Sequence, residues 1–323
     1  MFSPVTRSVA LAATALLAGT SLAACSGGDD QDSGRLQVVA AFYPLQYAAE
    51  RVAGEHADVA NLTTPGKEPH DLELSVRQVV KVNDADLVVF EEHFQTAVDH
   101  AVDERDGASL DAAAVVDLLP PAEHDDEAHE EEAHADEGHA DEGHDEHEHG
   151  DLDPHFWQDP VRMAALGDAI AKELGDVDPD DAAAYTANAA SLRADLEKLD
   201  TEFKDGLYGC ERDLVVVNHD AFGYLAKYGL HLEPIAGLTP DAEPTAATLA
   251  GLHDLIKEEG ITTVFSETLV SKKTAESLAG ELGIRTAVLD PLEGLTAGAE
   301  QNGGDYVSVM RQNLAALKKA NAC

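Results

Sequence analysis

Short unbroken apolar runs alternate along this chain with longer stretches whose apolar residues recur every three or four positions. Residues 36–42 (LQVVAAF), 59–62, 86–90 (DLVVF) and 114–116 read as strands, and 44–54 and 74–82 as helices. Leu45, Ala48, Ala49 and Val52 share one face of the first helix. The alternation stops at about 122 and resumes after 150. Asp159-Pro160 is a helix start, a capping side chain followed by proline at the first helical position. Tyr185, Ala189, Leu192, Leu196, Leu199, Phe203 and Leu207 then step by three or four. They predict one long helix over 179–208, about 40 Å at ~1.5 Å per residue. Strands follow at 214–217, 262–265 and 286–289, with helices at 221–228, 245–259, 274–282 and 306–320. Strands alternating with helices predict an α/β fold of two lobes, each a mostly parallel sheet with flanking helices. The N-terminal lobe is expected over 35–178, the linking helix over 179–208 and the C-terminal lobe over 209–323.

The first residues do not belong to this pattern. Arg7 precedes an apolar run too short to span a bilayer, as in a secretory signal. Its end, Leu22-Ala23-Ala24-Cys25, looks like a bacterial lipobox. That resemblance implies cleavage after residue 24 and lipid attachment at Cys25, with 25–34 as a flexible polar tether. The mature protein is then expected on the extracytoplasmic face of the cell membrane, held by acyl chains. In such an oxidising compartment the two remaining cysteines, Cys210 and Cys323, are expected to pair.

Charge narrows the partners. Lys and Arg number 21 against 63 Asp and Glu, for a formal net charge of −42. Such a chain is repelled by nucleic acid and by anionic surfaces, and cations are its natural ligands.

Candidate ligands sit where strands end. The strand at 214–217 runs into His219 and Asp220, that at 262–265 into Glu267, and that at 286–289 into Asp290. Open α/β sheets bind ligands outside the carboxyl ends of their strands. Two proline-flanked histidines join them, His70 in PGKEPHD and His155 in DPHFWQDP. Prolines lower the ordering cost of holding each ring in place. A lone histidine is more often a surface or capping residue; three at element edges point instead to a shared site. His93, after Phe90-Glu91-Glu92, is a weaker candidate of the same kind.

PGKEPHDLEL, DPHFWQDP, NHDAFGYLAKYGL and the pair SETLVS with TAVLDPLEGL resemble the signature segments of the solute-binding proteins of metal ABC importers, most closely the zinc branch. The likeness extends from about Leu36 to the end of the chain. It implies two α/β lobes joined by one rigid long helix, a Zn²⁺ ion bound between them, an ABC transporter permease as partner, and a monomer without catalysis. Carried over by position, it implies His70, His155, His219 and Asp290 as ligands. Imidazoles suit Zn²⁺, whereas oxygen-rich sites suit Mn²⁺. Glu68, Asp220 and Glu267 are expected to orient imidazoles, with Glu68 also an alternative ligand. Trp157 and Phe222 are expected to pack the cleft wall. The competing readings are a manganese importer component or adhesin, and a secreted zinc hydrolase with three ligands, a water and Glu267 or Glu68 as base.

The run from Glu123 to Asp151 holds 15 acids and no base. His124, His129, His134, His139 and His144 recur every five residues, and His147 and His149 follow. Five residues advance about 140° around a helix, so these rings share no helical face. His129 and His134 are also one residue too far apart for the His-Glu-x-x-His pair of a zinc protease. The segment over 122–150 is expected to be low-complexity, and to act as an auxiliary low-affinity metal collector.

Overall fold

The apolar run that opens the first lobe forms β1 (Leu36–Ala40), followed by α1 (Tyr43–Ala53), β2 (Ala57–Asn61), α2 (Val76–Asp84), β3 (Leu87–Phe90), α3 (Thr96–Asp103) and β4 (Ala108–Asp111). These positions come from a computed structural model, which describes residues 35–121, 152–240 and 242–323. Cys25 and the seven histidines from His124 to His149 lie outside the described residues. The four strands pair in parallel in the order β2-β1-β3-β4. β3 is buried along its whole length, which is why it reads as a continuous apolar run.

α4 (Pro160–Val177) and α5 (Ala182–Leu207) come next. The Asp159 side chain accepts from the Val161 N–H, with Pro160 behind it, as the sequence predicts. α5 presents Leu192, Leu196, Leu199 and Phe203 inward, each with no exposed surface. The second lobe contains β5 (Leu214–His219), β6 (His231–Ala236), α6 (Ala246–Glu258), β7 (Thr263–Ser266), α7 (Lys273–Leu282), β8 (Arg285–Val288), α8 (Ala297–Gln301) and α9 (Tyr306–Asn321). Its parallel sheet repeats the order of the first, β6-β5-β7-β8. The fold is therefore two parallel-sheet α/β lobes with flanking helices.

One apolar core runs from the first sheet through α4 and α5 to the near side of the second sheet. A smaller core, including Val216, Leu252, Ile256, Val264 and Leu278, lies in the second lobe alone. The shared core and α5 argue against a wide hinge. Cys210, just before β5, is bonded to Cys323 at the chain end (S–S 1.95 Å), so the second lobe is closed on itself.

Some elements fall elsewhere than the pattern predicts. The strand expected at 114–116 lies at β4, where ASLD has no apolar run to announce it; residues 112–116 form a turn, with the Val115 and Val116 N–H groups donating to Ala112 O. β6 was hidden by Pro234, which demotes a central strand. It is tolerated because β6 is an edge strand. The helix expected at 221–228 is a 3-10 turn over Gly223–Tyr228.

Candidate metal centre

Each sheet reverses its strand order beside its central pair, the place where open α/β sheets bind ligands. His219 is the last residue of β5, and Glu267 follows β7, its neighbour in the sheet. The His219 backbone N–H and ring Nδ1 both meet Glu267 Oε1, at 3.2 and 2.6 Å. Nε2 is thereby turned away from the strand and into the space between the lobes.

From the first lobe, His155 is held by the same device. Its backbone N–H and Nδ1 lie 2.9 and 2.8 Å from Asp153 Oδ1. Asp153 is placed in turn by the second lobe: the Tyr224 hydroxyl donates to its carbonyl at 2.7 Å. A Cβ at Gly223 would stand 2.8 Å from Asp153 Oδ2, so this close approach requires glycine. His70 lies in the loop between β2 and α2, its N–H donating to both Glu68 oxygens at 3.0 and 3.1 Å. Its ring packs edge-on against Phe94, with centroids 4.6 Å apart.

The structure brings His70, His155 and His219 together, and the fourth group with them is Glu293. Glu293 Oε1 lies 3.4 Å from His70 Nε2, 3.4 Å from His155 Nε2 and 3.1 Å from His219 Nε2. A tetrahedral centre with bonds of about 2.0–2.1 Å has edges of about 3.3–3.4 Å. The three distances from Glu293 lie close to that figure, and all four donor atoms lie within 4.8 Å of one another.

Asp290, expected as the fourth ligand, is occupied elsewhere. Its Oδ2 accepts from the Thr268 hydroxyl and its Oδ1 from the Leu292 N–H, both at 2.9 Å. Its backbone is gripped by Asn313 of α9, from N–H to Oδ1 (2.9 Å) and from Nδ2 to O (2.7 Å). The chain then turns through a left-handed Leu292 (φ 62°), a rare conformation for a residue with a side chain. This turn sends Glu293 inward. The first lobe fixes both flanks, with Trp157 Nε1 donating to Pro291 O (2.7 Å) and Gly66 N to Leu295 O (2.8 Å).

The other sequence candidates sort themselves around this cluster. Glu267 orients His219, and Asp153, which the sequence reading missed, orients His155. Its signal was present: a carboxylate two residues before the histidine, as at Glu68 and His70, suits a side-chain turn onto the backbone. Glu68 Oε1 is also 3.8 Å from His70 Nε2, beside the cluster rather than in it. At His219 Nδ1 the carboxylate is that of Glu267, while the Asp220 N–H donates to Gly237 O. Trp157 and Phe222 are fully buried, and Trp157 packs at 5.2 Å from His155.

The site is buried and charged. His155, His219 and Glu293 have at most 1% of their side chains exposed. Burial pulls the His219 imidazole down, but Glu293 and Glu267 outweigh it and hold the ring up at about 10. Burial likewise pushes Glu293 up, yet His219, His155 and His70 together hold it well below the usual carboxylate range. Without a cation the cluster is thus an ion pair around protons that a metal must displace.

A family model described as zinc-uptake complex component A, periplasmic (ZnuA), matches residues 38–320. The chain belongs to the ZnuA family. Among its relatives, the zinc-binding lipoprotein AdcA of Streptococcus pneumoniae (strain ATCC BAA-255 / R6) is 38% identical over 303 residues, covering 92% of this chain and 58% of that protein. The chain thus spans little more than half the length of that relative. The high-affinity zinc uptake system protein ZnuA of Bacillus subtilis (strain 168) is 35% identical over 308 residues, 94% of this chain and 93% of that one. The crystal structure of the Zn(II)-bound ZnuA-like domain of Streptococcus pneumoniae AdcA superposes with a TM-score of 0.73 at 35% identity, covering 90% of this chain and all (100%) of that one. That domain shares the fold described here over 90% of this chain.

Proposed function

We propose that this protein binds Zn²⁺ outside the cytoplasm through His70, His155, His219 and Glu293 and delivers it to an ABC transporter permease. The observation that carries the reading is the convergence of three Nε2 atoms on Glu293 Oε1 at 3.1–3.4 Å. Their ring Nδ1 atoms, at His155 and His219, are held by carboxylates. Three imidazoles and one carboxylate form a donor set suited to zinc over manganese. Four protein donors leave no place for an activated water, which separates a carrier from a zinc hydrolase. The named relatives, a zinc-binding lipoprotein and a zinc uptake protein, support the same reading.

Further parts of the proposal lie outside the described residues. Cys25 anchors the protein by lipid, and the histidines from His124 to His149 collect metal weakly beside the tight site. The carrier works as a monomer, with Zn²⁺ as cargo. Calorimetric titration of Zn²⁺ and Mn²⁺ into the intact protein and into Glu293→Gln tests the assignment. One tight zinc site is expected in the former, weakened at least about tenfold in the latter, since removing a charged ligand costs more than an outer partner does. Equal zinc affinity in both would remove Glu293 from the site.

A further inference from the structure

A cavity of about 410 Å³ opens beside the cluster, and His70 is the cluster residue on its wall. The other three members are buried to within 1% of full burial. An ion bound for the cluster therefore has this cavity, on the His70 side, as a way in. Two more imidazoles line it, His93 and His100, together with Asp71 and Glu73. All four of these residues are exposed.

His93 is held unusually. Its backbone lies in the left-handed region (φ 69°), with its N–H donating to Asp99 Oδ2 at 3.0 Å. Glycine would adopt this conformation without strain, and a strained position filled by a metal-binding side chain points to function. The next residue, Phe94, is buried and packs on His70. The His93-Phe94 pair thus places an imidazole toward the cavity and an apolar wall toward the cluster. His100, on α3, supplies the second imidazole from the same lobe.

We infer that His93 and His100 form an outer, exchangeable zinc site from which the ion passes to His70. The inference rests on the reading of the buried cluster as a zinc site. Two imidazoles and remaining waters hold Zn²⁺ weakly enough to release it, and Asp71 and Glu73 draw cations to the rim. Removing the outer imidazoles slows loading of the buried cluster and slows release equally, so the equilibrium affinity is unchanged.

The test follows Trp157 emission by stopped flow after mixing Zn²⁺ with the full chain. Trp157 is the only tryptophan and packs against His155, so it reports the buried cluster rather than the acidic segment. In His93→Gln/His100→Gln, loading is expected to slow about tenfold through loss of the locally concentrated ion. Affinity by chelator competition and final amplitude are expected to stay within about twofold of wild type. A loading rate equal to wild type overturns the outer site. So does an affinity loss as large as the rate loss, which would mean that the variants disturb the cluster itself. A wild-type protein whose Trp157 does not respond to zinc overturns the buried-site reading, and this one with it.

Discussion

The indole Nε1 of Trp157 donates to the carbonyl oxygen of Pro291 at 2.7 Å, two residues before Glu293. Gln158 Nε2 donates to the same oxygen. A carboxylate carried by the second lobe is therefore positioned by the first. Trp157→Phe keeps an aromatic ring in the buried wall and removes this donor. It is expected to weaken zinc binding about tenfold, the range found when partners of metal ligands are removed. Calorimetry checks this, and an unchanged affinity would show that Gln158 and the Gly66–Leu295 contact suffice.

Glu267 and Asp153 both act behind their histidines, each accepting from the backbone N–H and facing Nδ1 of one residue. Glu267→Gln and Asp153→Asn preserve shape but remove the charge that fixes the tautomer. Each is expected to lower zinc affinity about 10–100-fold. Asp220→Asn should leave it within about threefold, well below that range. The three variants titrated in parallel distinguish orientation from general negative charge.

Protons provide a test with a definite sign. The folded His219 imidazole, held at about 10, is above its unfolded value of ~6.5. Its pairing contributes stability that is complete below ~6.5 and is lost as pH rises toward about 10. Zinc requires the neutral ring, so binding runs the other way. Over that window each zinc bound releases at least one proton, and apparent affinity climbs about tenfold per pH unit for each proton. Calorimetry in buffers of different ionisation enthalpy measures the release directly; zero protons near pH 7.5 would contradict the ion-paired description of the metal-free site.

Cys210 and Cys323 enclose a loop with a sequence separation of 113. Cys210→Ser/Cys323→Ser is expected to lose about 3–5 kcal/mol of stability, chiefly by freeing the unfolded chain. The pair joins the start of β5 to the end of α9, so denaturant unfolding should show the loss while zinc stoichiometry is retained.

Gly223 is a narrower structural test. With Asp153 Oδ2 only 2.8 Å from where a Cβ would stand, Gly223→Ala must displace the carboxylate that holds His155. Reduced zinc affinity with little change in melting temperature is expected. A variant with wild-type affinity would show that Asp153 can move without releasing the ring.

Much of this molecule is written in local pattern. Runs such as LVVF and the stripe on α5 reveal two α/β lobes and a long helix because burial imposes a period on every residue that faces a core. His70, His155 and His219 were legible because each sits at an element edge, where backbone restraint is visible as proline or as a strand end. β6 escaped because Pro234 is tolerated only at a sheet edge, and no residue states whether its strand is central. The fourth donor escaped for a different reason. Asp290 and Glu293 are three residues apart and chemically alike, and nothing local distinguishes them. Their roles are set by Thr268 and Asn313, which occupy Asp290, and by the left-handed turn at Leu292. Trp157 and Gly66, from the other lobe, complete the choice. Sequence by itself determined which elements form and which imidazoles are available. Which carboxylate meets them depended on tertiary hydrogen bonds, from Thr268 and Asn313 within the second lobe and from Trp157, 134 residues from Pro291, across the lobes, contacts that exist only once the chain has packed.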